Sequence, residues 1–283
     1  MTELSPDLVL ATPRKPVYDS AQSRHPFLEE LGDLIAFRDL VALWSVRNIT
    51  LRYKRSVLGV FWTLLEPLLL MSTLAVVFST LFRFAVVSYP IYVLTGLLAF
   101  DFLNRSTSQM IDEIITSQSM AQRIGLPRSA FALATIISYL VNWGLALVPL
   151  FGIMLILRHP FSWALLAVPL AMFLMALFAF GVGLIVSTLG AFFHDVKITY
   201  NVLLSIWFYA TPIIYPITII PESYRGLLAL NPVFHLLNLF RASVYLGEVA
   251  PLNDWAIGAA LSIATFTFGW WLFTRWRNVL DRV

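Results

Sequence analysis

Cysteine is absent from the chain, which excludes a disulfide framework, a thiolate metal site and a cysteine nucleophile. Charge is scarce as well. Only 12% of residues are Asp, Glu, Lys or Arg, about half of the roughly 25% usual in soluble domains. No G-x-x-x-x-G-K-[ST] run occurs, so the chain has no phosphate-cradling loop of its own. H-E-x-x-H and G-x-S-x-G are also missing, and His25, His159, His194 and His235 are scattered. That pattern argues against a metal site and against a hydrolase elbow. Residues 1–26 carry Pro6, Pro13, Pro16 and Pro26 and lack a short apolar stretch followed by a small-residue cleavage site. They are expected to form a flexible cytoplasmic tail rather than a cleavable signal.

Apolar side chains are plentiful. They make up 59% of the 283 residues, with a mean hydropathy of +0.80. A soluble core of this size could not hide them, whereas a bilayer is itself an apolar solvent. Six apolar stretches reach or approach the 20 or so residues needed to cross the hydrocarbon. They cover 57–82, 88–108, 130–157, 162–189, 198–217 and 255–274. The expected fold is an all-α membrane protein with six transmembrane helices. Alternating the spans from a cytoplasmic N-terminus leaves only Arg83, Arg158, Arg225 and Arg241 outside among the 19 Lys and Arg. The positive-inside bias therefore places both termini in the cytoplasm.

Two segments do not read as spans. Across 27–55, Phe27, Leu31, Leu34, Val41 and Trp44 recur at helical spacing, and a basic run from Arg47 to Arg55 follows. An amphipathic helix along the cytoplasmic interface is expected there, and 56–283 is expected to be the transmembrane domain. Between spans five and six, 233–246 is apolar but too short to cross. A re-entrant or interfacial outer helix is expected, with His235 and Arg241 at the outer surface or facing a wet cavity.

Ionisable residues inside spans are costly and become functional candidates. Glu66 lies about 13 Å from the inner end of the first span at 1.5 Å per residue, and Asp101 lies at similar depth in the second. Asn104 and Arg105 follow directly. Glu66 is expected to face Arg105 or the polar edge of the second span, either as a gate or as a structural ion pair. Phe61 and Trp62 in the first span and Trp207, Phe208, Tyr209 and Tyr215 in the fifth accompany Pro67, Pro212 and Pro216. Their flat apolar faces suit the C–H faces of sugar rings along a channel.

Several ordered motifs carry a family resemblance. Arg47–Gly59 (RNITLRYKRSVLG) runs into Trp62 and then Glu66-Pro67-Leu68. Gln122–Arg128 (QRIGLPR) follows, then Phe193-His194-Asp195-Val196, Phe208–Pro216 (FYATPIIYP), Asn231-Pro232 and Phe240-Arg241-Ala242. Together they resemble the type-2 ABC exporter permeases of O-antigen, capsule and teichoic acid systems. The resemblance implies the membrane subunit of an exporter that moves a lipid-linked polysaccharide across the bacterial inner membrane. Such a subunit catalyses no reaction and holds no cofactor. It forms a homodimer and pairs with two ATPase subunits, which bind ATP and Mg. Periplasmic export partners fit the same picture and nucleic acid does not. A permease for a drug or small lipid is the alternative. The resemblance places coupling to the ATPase at Gln122, Arg123, Gly125, Leu126, Pro127 and Arg128. It places substrate access and gating at Arg47, Arg52, Tyr53, Lys54, Ser56 and Glu66. The Arg47–Arg55 run either receives a lipid-linked pyrophosphate or anchors to lipid headgroups.

Overall fold

The computed structural model describes residues 26–54, 56–80, 88–117, 126–193 and 195–280. Among these residues the structure is entirely helical and turn-like, without strands. The tail up to residue 25, His194 and the Gln122, Arg123 and Gly125 positions lie outside the described residues.

The segment expected to be one amphipathic helix is two. Helix α1 spans Pro26–Ala36 and α2 spans Arg38–Tyr53, with the chain bending at Phe37. Helix α2 packs on the start of α5 (Arg128–Ile156) through Val41, Ala130 and Ala134. The Ser45 hydroxyl donates across that contact to the Ala134 carbonyl at 3.2 Å. A short turn returns the chain from α2 into α3 (Phe61–Thr80). The S-x-L-G motif has a local reason here. Gly59 adopts φ +51°, which only glycine takes without strain, and its N–H donates to Ser56 Oγ at 3.1 Å.

Four segments are long and apolar enough to cross a membrane: Phe61–Phe78, Arg128–Ile156, Trp163–Phe192 and Leu252–Trp276. The third joins a 3-10 turn at Trp163–Ala167 to α6 (Val168–Phe192), and the last lies in α10 (Leu252–Leu280). The expected second span appears as α4 (Tyr89–Thr116), which has 28 residues but carries Asp101, Arg105, Asp112 and Glu113. The expected fifth span appears as α7 (Val196–Ala210), only 15 residues long. It stops early because Pro212 disfavours helical backbone at Thr211, whose ψ is 134°. Two further helices, α8 (Glu222–Leu228) and α9 (Pro232–Arg241), form a pair bent by 92°. The second continues as a π-helical turn over Ala242–Leu246. Such a pair is either a broken span or a re-entrant loop.

The core is built around α6, whose strongest partner is α10, with α4 and α5 packed alongside. Close backbone approach makes the α6–α10 contact. A Cβ on Gly181 would sit 2.5 Å from the Thr265 carbonyl oxygen, and one on Gly269 would sit 2.3 Å from that of Gly181. Lipid gives apolar helices no hydrophobic reason to associate, so small residues that let backbones touch supply the van der Waals contact instead. By contrast α3 buries little of its surface within the chain. Leu69, Leu70 and Val76 are all more than half exposed.

Gly181→Ala is expected to force α6 and α10 apart and cost about 1–3 kcal/mol. The check is the midpoint of thermal unfolding of the purified protein in detergent, where an unchanged midpoint would contradict the close-contact account.

Candidate functional site

The polar centre of the molecule is a triad between α3 and α4. Glu66 and Asp101 both bind Arg105: Nε donates to Asp101 Oδ1 at 2.6 Å, and Nη2 donates to Glu66 Oε1. The Asp101–Arg105 spacing is one helical turn, so the pair forms along a single helix face. Glu66 is delivered from α3 one residue before Pro67. Proline has no N–H, so the Thr63 carbonyl loses its helical partner at the same level. The three charged side chains keep 43–47% of their surface open, so the triad lines open space rather than an apolar core.

Open space lies on both sides of it. A polar cleft of about 220 Å³ runs towards α2 and α5, past Arg52, Tyr53, Trp62, Thr63, Tyr139 and Asn142. A more apolar cleft of about 420 Å³ runs towards α7, past Leu70, Leu97, Asn104, Ser205, Phe208 and Tyr209. Glu66, Pro67, Leu98, Asp101 and Arg105 line both. The triad is thus the partition between two grooves where α3 leans on α4.

In the polar cleft, Tyr53 joins three elements. Its hydroxyl donates to Asn142 Oδ1 at 2.7 Å and also contacts the Thr63 hydroxyl. The Arg52 guanidinium lies over the Tyr139 ring, 3.8 Å from its centroid. Its buried Nη1 has no hydrogen-bond partner. That nitrogen is enclosed where the guanidinium packs on Tyr139, while Arg52 as a whole borders the cleft. Arg47 and Lys54 are exposed instead. Arg47 stacks on Trp44 at 4.2 Å and lies 4.0 Å from Glu113, which also accepts from Trp44 Nε1 at 2.5 Å. The basic run therefore divides into an inward-turned Arg52 and an outward-turned Arg47 and Lys54. Ser56 shapes the turn described above.

The six aromatic candidates do not form one row. Trp62 lines the polar cleft, and Phe208 and Tyr209 line the apolar one. Trp207 turns away, donating Nε1 to Asn231 Oδ1 at 2.8 Å with its ring edge-on to Phe178. Trp207 and Tyr215 instead border a separate depression beside α8. Phe61 is 68% exposed and borders neither cleft. Among the coupling candidates, Leu126 and Pro127 lead into α5 and Arg128 is buried at its first position.

Arg241 requires a correction. It was expected at the outer surface or in a wet cavity, but it is 6% exposed. Its Nη1 donates to the Tyr92 hydroxyl at 3.1 Å and to the Pro212 carbonyl at 3.0 Å, and its guanidinium covers the Tyr92 ring at 3.8 Å. Sequence position alone could not show this, because the acceptors come from residues 28–149 positions away. His235 is partly open and bonds the Ala229 carbonyl at 2.9 Å.

The ABC-2 type transporter family description matches residues 40–245. The chain belongs to that family. It is 28% identical over 237 residues to an O-antigen export system permease protein, RfbA, of Myxococcus xanthus, covering 82% of this chain and 90% of that protein. It is 26% identical to a permease of the same name from Klebsiella pneumoniae, over 72% of this chain and 79% of that one. A polysialic acid transport protein, KpsM, of Escherichia coli is 24% identical over 74% of this chain and 83% of its own length. With its membrane-length helices, this ABC-2 chain is a multi-pass membrane protein. The matched region contains the triad, both clefts and the buried Arg241.

Glu66→Gln is expected to lower the unfolding midpoint only modestly, because Asp101 still pairs Arg105. Arg105→Met leaves both carboxylates unpaired at membrane depth and is expected to destabilise the protein more than Glu66→Gln. Thermal unfolding of both variants in the same detergent checks the order.

Proposed function

We propose that this chain is the membrane subunit of an ATP-driven exporter of a lipid-linked polysaccharide in the bacterial inner membrane. The observation that carries this reading is the pair of grooves flanking the Glu66–Arg105–Asp101 partition. One is polar with aromatic edges, the other apolar with polar corners. A glycan on a lipid carrier has both characters, with hydroxyl-rich edges on its sugars and an apolar tail. The similarity to two kinds of bacterial polysaccharide transport protein supports the same cargo class.

In this reading α4 and α7 complete six crossings, and α8–α9 is an outer re-entrant pair. Both termini lie in the cytoplasm, with α1 and α2 along that interface. Arg47 and Lys54 meet the carrier pyrophosphate or the headgroups around it. Arg52, Tyr53 and Glu66 govern passage inward, with Ser56 and Gly59 setting the turn that brings α2 to α3. Phe208 and Tyr209 offer flat contacts to passing sugar rings, with Phe61 and Trp62 at the inner end and Trp207 and Tyr215 at the outer. Many weak contacts let a polymer slide without being held.

Energy comes from a separate ATPase. The chain has no phosphate-binding loop, and ATP and Mg belong to that partner. Residues 122–127 dock the ATPase, with Arg128 at the first position of α5. Docking there lets closure of an ATPase dimer move the helix that follows. Two copies of the chain form the conduit. One copy has too few helices to enclose a wide polymer path, so a symmetric pair is the economical arrangement.

Deleting the gene in its native host is expected to abolish surface polysaccharide and leave polymer inside the cell. An affinity-tagged chain is expected to copurify an ATPase subunit in equal number. Intact surface polymer with altered resistance to toxic compounds would favour the small-molecule permease instead. A combined Arg52→Ala and Lys54→Ala variant is expected to insert normally and lose most export, read as surface polymer per inserted molecule. Retained export would limit Lys54 to lipid anchoring and Arg52 to packing on Tyr139.

A further inference from the structure

The stretch after α7 leaves helical geometry where water is scarce, so the carbonyls from Thr211 to Tyr215 need other partners. Every one is satisfied. Thr211 accepts from the Ile213 N–H at 2.7 Å. Pro212 accepts from Arg241 at 3.0 Å, and the Tyr92 hydroxyl oxygen, whose one proton serves Tyr215, lies 3.1 Å away. Ile213 accepts from Arg241 at 3.3 Å, Ile214 from the Tyr89 hydroxyl at 2.6 Å and Tyr215 from the Tyr92 hydroxyl at 2.9 Å. Arg241 also reaches the Tyr92 carbonyl at 3.4 Å. No carboxylate among the described residues pairs with it.

An unpaired buried guanidinium is a costly way to fill space. Its special capacity is a planar fork that can hold acceptors from different segments at once. Here the fork joins α9, the start of α4 and the unwound end of α7. The site is built to admit it, since a Cβ on Gly96 would meet Arg241 Nη2 at 2.8 Å and the Ile213 carbonyl oxygen at 3.0 Å. A second link strengthens the union. Asn231, which caps α9, accepts from Trp207 and donates to Thr211 Oγ1 at 2.9 Å.

The inner end of α7 is tied to α4 as well. Lys197 bonds Asp112 at 2.7 Å, the Tyr200 hydroxyl donates to Thr107 at 2.7 Å and Ser108 donates to Asn201 at 3.1 Å. Between these ties, Ser205, Phe208 and Tyr209 form one wall of the apolar cleft.

We propose that Arg241 is a positioning residue for transport, locking the outer end of α7 to α4 and α9 so that the cleft wall and the α8–α9 pair move as one body. This rests on the export reading above, in which that cleft carries cargo. It assigns a role to a residue that touches no cargo itself.

The chain has no cysteine, so Ser205→Cys gives a single reporter in the cleft wall. The full chain with its ATPase, in membranes, is labelled with a maleimide before and after vanadate trapping with ATP. The parent carrying this reporter is expected to change labelling rate between the two states. Arg241→Gln is expected to lose that change and to export roughly tenfold less polymer per inserted molecule, within the range of coupling effects seen for non-contact residues. Arg241→Lys should rescue little, because one ammonium cannot span the same acceptors. Gly96→Ala, which keeps Arg241 but displaces Nη2, should reproduce the defect.

The proposal is overturned if Arg241→Gln keeps the labelling change and exports within about twofold of the parent. If Arg241→Gln fails to insert, Arg241→Lys and Gly96→Ala are judged by the same two readouts. Loss of insertion in all three would assign Arg241 to folding alone and overturn it too. A parent that neither exports polymer nor responds to trapping would instead sink the export reading.

Discussion

A bilayer supplies no hydrogen bonds, and that single constraint orders this molecule. Where the backbone stays helical, the requirement is met automatically. Where proline interrupts it, the protein brings donors from elsewhere. Around Pro212 the donors are the Arg241 guanidinium on α9, which serves Pro212 and Ile213, and the Tyr89 and Tyr92 hydroxyls on α4, which serve Ile214 and Tyr215. The same need places Asn231 between Trp207 and Thr211. This end of the molecule is therefore held together by the repair of a helix end.

The contact between α3 and α4 uses charge. Glu66 and Asp101 share Arg105, and the three remain about half open because the chain leaves grooves on both sides of them. Pro67 weakens the α3 ladder at the level where Glu66 reaches across. A helix with a missing hydrogen bond beside a charged partition is well suited to a small change of angle. The tight glycine contact between α6 and α10 lies elsewhere and holds the frame against which such a change could occur.

Much of this was legible in the chain. A helix begins within about four residues of the start of each expected apolar stretch, since a run of apolar residues long enough for lipid has few other uses, while α4 and α10 run on past the expected ends to Thr116 and Leu280. The depth argument put Glu66 level with Asp101 and Arg105, and the structure joins them. The fifth span was placed too long, because hydropathy does not register that Pro212 ends a helix before Thr211. The amphipathic segment hid a bend at Phe37, which apolar periodicity alone did not reveal. The aromatic candidates were grouped by composition, and packing then separated Trp207 from Phe208 and Tyr209 because adjacent helical residues face different directions.

The sequence by itself determined that this is a membrane protein built of helices, without a nucleotide-binding loop or a thiol, and it carried the ordered motifs of its family. Those properties are local: a run of apolar side chains or a missing motif means the same in any surroundings. The tertiary structure alone decided which polar groups meet. It turned Arg52 inward and Arg47 outward, set the triad between two grooves and buried Arg241 against acceptors as far as 149 residues away. A side chain's partner depends on how helices stack, and that depends on backbone contacts such as Gly181 with Gly269 that no local pattern announces.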